Sequence, residues 1–466
     1  MMADQPNIIF VFSDQQRYDS VACNGNPIVK TPNLDALAAE GATFDNAFSS
    51  CPICSPYRGQ VMTGKYSHAN GCMDNECALH QDQATLPLTL GAAGYRTAYV
   101  GKWHLGYGPY TEDKRYGFDY MAAYNCNHNH NDLTYHENED GPFPFDKWGP
   151  TGETDLALRF IEDHQKESSD DPFCVVMSWG PPHWTFDKNQ TYSAYPEQFN
   201  TYRPEDIELP PSVPRQMAHF ARQEFADYYG CVSGLDHEVG QIMAFLKENG
   251  LEKNTILCYS SDHGDHLGGH GYGKPPDNWL HHSKRASKGT PYNESIHIPF
   301  IMRYPDKMAG GQRVRIMFNS VDVMPTLLGL AGVELPDEIQ GQDLSHAVLG
   351  GEGPEPESVY LQILGPGWPH RGDWVGFWRG VRTDRYVYAR WVDGRVWLFD
   401  RDNDPFEMTN LAGSAEHAEI RQQLELRLQK WIKDTGDPFD TGERDTATGM
   451  LKLEREFTHE KYRGER

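Results

Sequence analysis

Short apolar runs alternate with segments whose apolar positions return every three to four residues through the first three quarters of the chain. NIIFVFS (7–13) carries no polar interruption before its last residue, which predicts a strand buried on both faces. YRTAYVG (95–101), PFCVVMSWG (172–180), TILCYSS (255–261) and IHIPFIMR (296–303) read the same way. Helical patterns lie between them. TPNLDALAAEG (31–41) predicts a helix with Asn33 as its cap and Gly41 as its stop. A short helix is expected around Leu86–Ala93, an amphipathic one over 153–165, and a long one over 223–250 ending at Gly250.

This alternation predicts an α/β fold, a large and mostly parallel sheet sandwiched by helices. After residue 350 the pattern changes. GEGPEPES (351–358) reads as a linker, and 378–400 alternates like a set of hairpins with Asp393-Gly394 at a turn. A helix is expected near 415–434. The chain therefore divides into a large catalytic domain over 1–355 and a small C-terminal α+β domain with an antiparallel sheet over 356–466, its tail charged and poor in apolar residues.

In an open parallel sheet, ligands bind beyond the carboxyl ends of the strands. The strand at 7–13 delivers Asp14 and Gln15 there, 95–101 delivers Lys102 and His104, 172–180 delivers His183, and 255–261 delivers Asp262 and His263. An Asp after a strand is by itself often a helix cap. Four strand ends carrying metal-capable or proton-transferring side chains at one sheet edge predict a site instead.

CPICSPYRGQVMTG (51–64) adds a fifth element. Pro56 suits a first helical turn and Gly64 a helix stop, so Cys54 falls at a helix N-terminus, where N–H groups and the dipole favour an anion or an ionised nucleophile. Arg58, one turn on, can add a fixed positive charge. The Cys51-x-x-Cys54 spacing also fits a redox pair or half of a zinc site. Zinc would need a second Cys/His pair, and Cys72 and Cys77, with four residues between them, have the wrong spacing.

The formal charge of −25 and the lack of a balancing basic patch argue against nucleic acid, although a few local cations can still govern one anion-binding pocket. No apolar run is long enough to span a bilayer. The start shows no signal peptide, which implies a cytoplasmic protein as written, or a periplasmic or secreted one if a leader has been removed. Nine scattered cysteines make a poor disulfide framework and fit a largely reduced protein. Oligomeric state is not readable from these patterns.

C-S-P-Y-R at 54–58 followed by T-G at 63–64 resembles the C-x-P-x-R…T-G signature of the type I, formylglycine-dependent sulfatases of the alkaline phosphatase superfamily. GKWHLG (101–106), SDHGDHLGGHG (261–271), KGTPYNESIHIPFIMR (288–303) and DPFEMTNLA (404–412) extend the resemblance over nearly the whole chain. It implies an alkaline-phosphatase-like fold and hydrolysis of an organic sulfate ester with release of sulfate. It implies conversion of Cys54 to formylglycine by a formylglycine-generating maturation enzyme, the hydrated aldehyde being the nucleophile. Cys51 is then an incidental buried thiol.

The resemblance further implies that Asp14, Gln15, Asp262, His263 and residue 54 hold a divalent metal, usually Ca2+. Family members commonly carry Asp and Asn where this chain has Gln15 and His263, and the imidazole leaves Mn2+ and Zn2+ open. The metal and Arg58 would polarise the formylglycine diol, the metal, Lys102 and Lys288 would offset the sulfate's charge, His183 with Lys288 would protonate the leaving alcohol, and His104 would take a proton from the remaining diol hydroxyl. A phosphonate or phosphate ester hydrolase of the same superfamily is the rival reading, against which the Lys102-x-His104 pair counts. An unmodified anion-binding protein is a third. Aromatic density favours a carbohydrate sulfate, with Trp184, His281, Trp368, His370 and Arg371 as substrate-binding candidates and Asn75 a further one. The aromatics from Trp378 onward are expected in the core of the C-terminal sheet.

Overall fold

The computed structural model describes residues 5–444 apart from 76, 169–170, 186–191, 193–195, 197–198, 272–287 and 366–376. Its main feature is a ten-stranded sheet in the order Gln312–Val314, Ala42–Phe44, Phe300–Arg303, Thr255–Ser261, Asn7–Asp14, Phe173–Pro182, Arg96–Lys102, Tyr120–Tyr124, Thr134–Glu137, Asp140–Pro144. The five strands from Thr255–Ser261 to Tyr120–Tyr124 run parallel. Both flanks contain antiparallel pairings, so the sheet is mixed with a parallel centre.

The first strand shows why the centre forms. Ile8, Phe10 and Phe12 enter one core and Ile9 and Val11 the other, because successive side chains leave opposite faces. On the Ile9 face sit the helices Pro32–Glu40, Gly149–Glu167 and Ala218–Glu248, through Leu34 and Leu37, Leu156 and Ile161, and Leu235, Val239 and Ile242. On the Phe10 face sit Cys54–Thr63, Leu86–Ala92 and Val323–Ala331, through Tyr57 and Val61, Leu86 and Leu90, and Leu327 and Leu328.

Two sequence expectations change. In IHIPFIMR only Phe300–Arg303 is a strand, and it runs antiparallel to Thr255–Ser261. Asn293–Ile296 instead forms a helical turn, and Pro299, which has no N–H, separates the two. Asn33 does not cap Pro32–Glu40 but is its second residue. The cap comes from Asp236 on the long helix, whose carboxylate accepts the backbone N–H of Leu34 at 2.7 Å, that of Asn33 at 3.3 Å and the Asn33 Nδ2 at 2.9 Å.

Beyond residue 357 the strands Ser358–Ile363, Trp378–Thr383, Tyr386–Trp391 and Val396–Asp400 pair antiparallel in sequence order. One face packs on the helix Ala418–Asp434 through Tyr388, Leu398, Leu424 and Leu428. The other, with Trp378 and Trp391 buried in it, packs on Phe48, Cys51 and Ile53 beside the start of the Cys54 helix. Among the described residues no helix is long and apolar enough to cross a membrane.

Replacing Asp236 by Ala leaves the first N–H groups of Pro32–Glu40 without an acceptor. The free energy of unfolding should fall by ~1–3 kcal/mol, with Asp236→Asn recovering part of it, read from urea midpoints.

Candidate active site

Four of the parallel strands end at the same sheet edge, and Asp14 closes the first of them, fully buried. Gln15 follows with φ 70°, a left-handed conformation unusual for a side chain of its size. It is held there by its own N–H, which donates to Asp262 Oδ1 at 2.9 Å, and by the Tyr228 hydroxyl, which donates to its carbonyl at 2.7 Å. Its amide Nε2 donates to Asp265 Oδ2 at 2.7 Å, which turns Oε1 towards Lys288 Nζ, 3.1 Å away.

Ligand atoms of Asp14, Cys54, Asp262 and His263 all lie within 4.8 Å of one another, and all four residues are buried. His263 Nδ1 is 2.9 Å from the Gly264 carbonyl. As the donor there, it leaves Nε2 as a lone pair, 3.4 Å from both Cys54 Sγ and Asp262 Oδ1. The two carboxylates divide their oxygens. Asp14 Oδ1 faces the thiol at 3.6 Å, while Oδ2 accepts Lys102 Nζ at 2.5 Å and Arg58 Nη2 at 3.2 Å. Arg58 Nη2 also lies 3.4 Å from Asp262 Oδ2, and its Nη1 donates to the Tyr99 hydroxyl at 3.2 Å and to Ser178 Oγ at 2.6 Å. Two buried carboxylates, one imidazole lone pair and a nearby amide oxygen fit a divalent cation.

Cys54 opens the helix Cys54–Thr63, which ends at Gly64 in a left-handed conformation. Asn75, weighed above as a substrate contact, accepts the Ser55 N–H at 3.1 Å and so satisfies the start of this helix. Lys288 Nζ donates to Cys54 Sγ at 3.0 Å. Burial and Asp14 push the thiol up, but the nearby cations, Lys102 first and Lys288 next, outweigh them and hold it well below its ordinary range. Burial likewise opposes ionisation of Asp14, yet Lys102, His183 and Lys288 keep it well below the usual carboxylate range. Asp262 goes the other way, pushed up to about 6 by burial and by Asp14. Cys51 is fully buried against the C-terminal sheet, and burial raises its thiol.

His104 has φ 55° and is fixed through its backbone, its N–H donating to the Asn125 carbonyl at 2.8 Å and its own carbonyl accepting Ser55 Oγ at 2.6 Å. His183 follows the strand Phe173–Pro182, with Nδ1 2.9 Å from the Trp184 carbonyl. Burial, reinforced by His128 and Lys288, lowers its imidazole well below the ordinary value. Trp184 is buried beside it, ring centroids 5.1 Å apart. The other substrate-binding candidates, His281, Trp368, His370 and Arg371, lie outside the described residues.

Sequence reading passed over Asp265, Tyr99, Ser178, Cys126 and His128. Asp265 stood inside a quoted motif, and NCNHNHND (125–132) carried a visible signal, a Cys and two His directly after a strand. Tyr99 and Ser178 lie within strands and had none.

Fold and site together define a protein of alkaline-phosphatase-like architecture with a buried pocket in which Asp14, Cys54, Asp262 and His263 could hold a cation. The sulfatase family model matches residues 6–333, and a model described as N-sulphoglucosamine sulphohydrolase, C-terminal, matches 282–434. An ulvan-active sulfatase of Formosa agariphila is 33% identical over 446 residues, covering 93% of this chain and 82% of that one. An N-acetylglucosamine-6-O-sulfatase of Bacteroides thetaiotaomicron is 29% identical, covering 95% and 89%. A structure solved in complex with its substrate D-glucosamine-2-N,6-O-disulfate is 25% identical, with TM-score 0.77 over 93% of this chain and 98% of that one. The chain belongs to the sulfatase family. It is a sulfuric ester hydrolase.

A proton on Asp262 competes with a cation at this cluster. With its carboxyl at about 6, the proton is bound below that pH, so cation affinity falls as pH drops. Calorimetric titration of metal-free protein with Ca2+ should give affinity about tenfold weaker at pH 5 than at pH 7.5. A pH-independent affinity would show that Asp262 takes no part.

Proposed function

We propose that the enzyme cleaves a sulfate ester of a saccharide, with Cys54 as the formylglycine precursor and Ca2+ held by Asp14, Gln15, Asp262, His263 and residue 54. The observation that carries this reading is the buried Cys54 at a helix N-terminus, its sulfur 3.0 Å from Lys288, 3.4 Å from His263 and 3.6 Å from Asp14. Formylglycine, as its hydrate, would supply one hydroxyl to attack sulfur and a second whose loss of a proton re-forms the aldehyde and breaks the carbon–oxygen bond to sulfate. The metal supplies a Lewis acid, and the mainly oxygen donor set supports Ca2+, with Mn2+ and Zn2+ as the alternatives His263 admits.

The chain's own groups complete the chemistry. With residue 54 as uncharged formylglycine, Asp14 and Asp262 contribute two negative charges when ionised, against three positive from Arg58, Lys102 and Lys288, so the pocket would be cationic before a metal enters and despite the overall −25. Lys102 is held charged in the dry interior because Asp14, together with the sulfurs of Cys126 and Cys54, outweighs the effect of burial. Lys102 and Lys288 then meet the sulfate oxygens, and Arg58 fixes the two carboxylates in place. His183, kept neutral by burial before substrate binds, takes up a proton as the anionic ester enters and passes it to the departing alcohol oxygen, and His104 withdraws one at residue 54.

Saccharide substrates are supported by the relatives, two of which are named for sulfated glycans or amino sugars, and by the aromatic face of Trp184 next to His183. His281, Trp368, His370 and Arg371 belong to the same proposal as further contacts. The formylglycine-generating enzyme is the partner the reading requires.

The test is peptide mass spectrometry of the Cys54 segment from protein co-produced with such an enzyme, paired with ion release from sulfated saccharides. The expected result is an aldehyde or its hydrate at residue 54, sulfate rather than phosphate released, and activity abolished by chelation and restored by Ca2+. Cys54→Ala should lower turnover by at least ~1,000-fold. An intact thiol in a fully active preparation would overturn the proposal.

A further inference from the structure

The segment that follows the strand Tyr120–Tyr124 reaches His104 and His183. His128 is buried, and its ring lies face to face with that of His183, centroids 3.8 Å apart and planes 10° apart. Its Nε2 is 3.4 Å from Cys126 Sγ, and the neighbouring Asn125 carbonyl accepts the His104 N–H at 2.8 Å. Two residues on, His130 Nε2 lies 3.0 Å from the backbone carbonyl of His183. Trp184 continues the stack, 5.5 Å from His128 at 23°. One short stretch therefore holds the ring and the backbone of His183 and touches His104.

We propose that His128, steadied by Cys126, is a positioning residue that fixes the plane of the His183 imidazole so that Nε2 faces the oxygen of the departing alcohol. This rests on His183 being the proton donor. Among the described residues the His183 imidazole is hydrogen-bonded through Nδ1 to the neighbouring Trp184 carbonyl, and a ring held at one atom can still swing about that hydrogen bond. A second flat ring at van der Waals distance removes that freedom, and proton transfer in the transition state depends on such alignment. Both residues are more than nine-tenths buried.

Alignment of an acid matters most when the leaving group is basic. Phenyl sulfate releases phenol, with pKa about 10, whereas 4-nitrophenyl sulfate releases a far more acidic phenol that departs without help. His128→Ala should lower kcat on phenyl sulfate about 10- to 100-fold and on 4-nitrophenyl sulfate by less than about threefold, with KM little moved on either. His128→Phe, which keeps a flat ring, should restore most of the loss. Crystal structures provide a readout independent of turnover: the His183 ring should occupy more than one orientation in His128→Ala and a single one in His128→Phe.

His183→Ala separates this inference from the reading beneath it. If His183→Ala is selective for phenyl sulfate while His128→Ala affects both substrates equally or neither, His183 is the acid and His128 does not position it. If His183→Ala itself lowers both substrates equally, the proton-donor assignment fails and takes this inference with it. A His183 ring that stays fixed in His128→Ala would also overturn the proposal.

Discussion

Two carboxylates, Asp14 and Asp262, sit fully out of water at the edge of the central sheet, and the architecture around them answers that constraint. Taking one such ion into the interior costs several kcal/mol even after relaxation, unless charges and hydrogen bonds compensate. Lys102 and Arg58 compensate, but both are themselves buried. Arg58 in turn needs Tyr99 and Ser178 from two further strands. The chain of requirements closes only when four strands stop at the same level, which the parallel pairing of the sheet enforces.

The central strands were legible because burial on both faces demands an unbroken apolar run, and NIIFVFS or TILCYSS has few other uses. The edges were not. Asp140–Pro144 is exposed along its whole length and has no apolar pattern to read, and Ala42–Phe44 is too short to show one. IHIPFIMR was read too long because hydrophobicity alone does not register what Pro299 does to a ladder. The Asp236 cap was invisible for another reason: its partner Asn33 lies 203 positions away, while local rules search within a turn.

The site divides in the same manner. Residues delivered by strand ends could be located from topology, and Cys54 and Arg58 from helix start signals. Residues that act through a neighbour could not. Asp265 matters by orienting the Gln15 amide and Ser178 by holding Arg58, and nothing in either residue's sequence surroundings marks that task. His128 was within reach, since an Asn- and His-rich stretch directly after a strand is uncommon in a solvated loop, but the strand before it, YMAAY, is short.

The C-terminal region braces the Lys288 segment, with consequences for how the enzyme comes into being. The indole of Trp378 donates to the Gly289 carbonyl at 3.0 Å, next to Lys288, and Glu407 accepts the Asn293 N–H at 2.8 Å a few residues further on. A ribosome has already released Asp14, Cys54 and Lys102 when these two anchors are still unmade. During synthesis the nascent chain therefore holds most of its reactive groups while the Lys288 segment lacks its brace. Competence arrives late, with the last fifth of the polypeptide, and the sheet farthest from the chemistry in chain order acts as the timer.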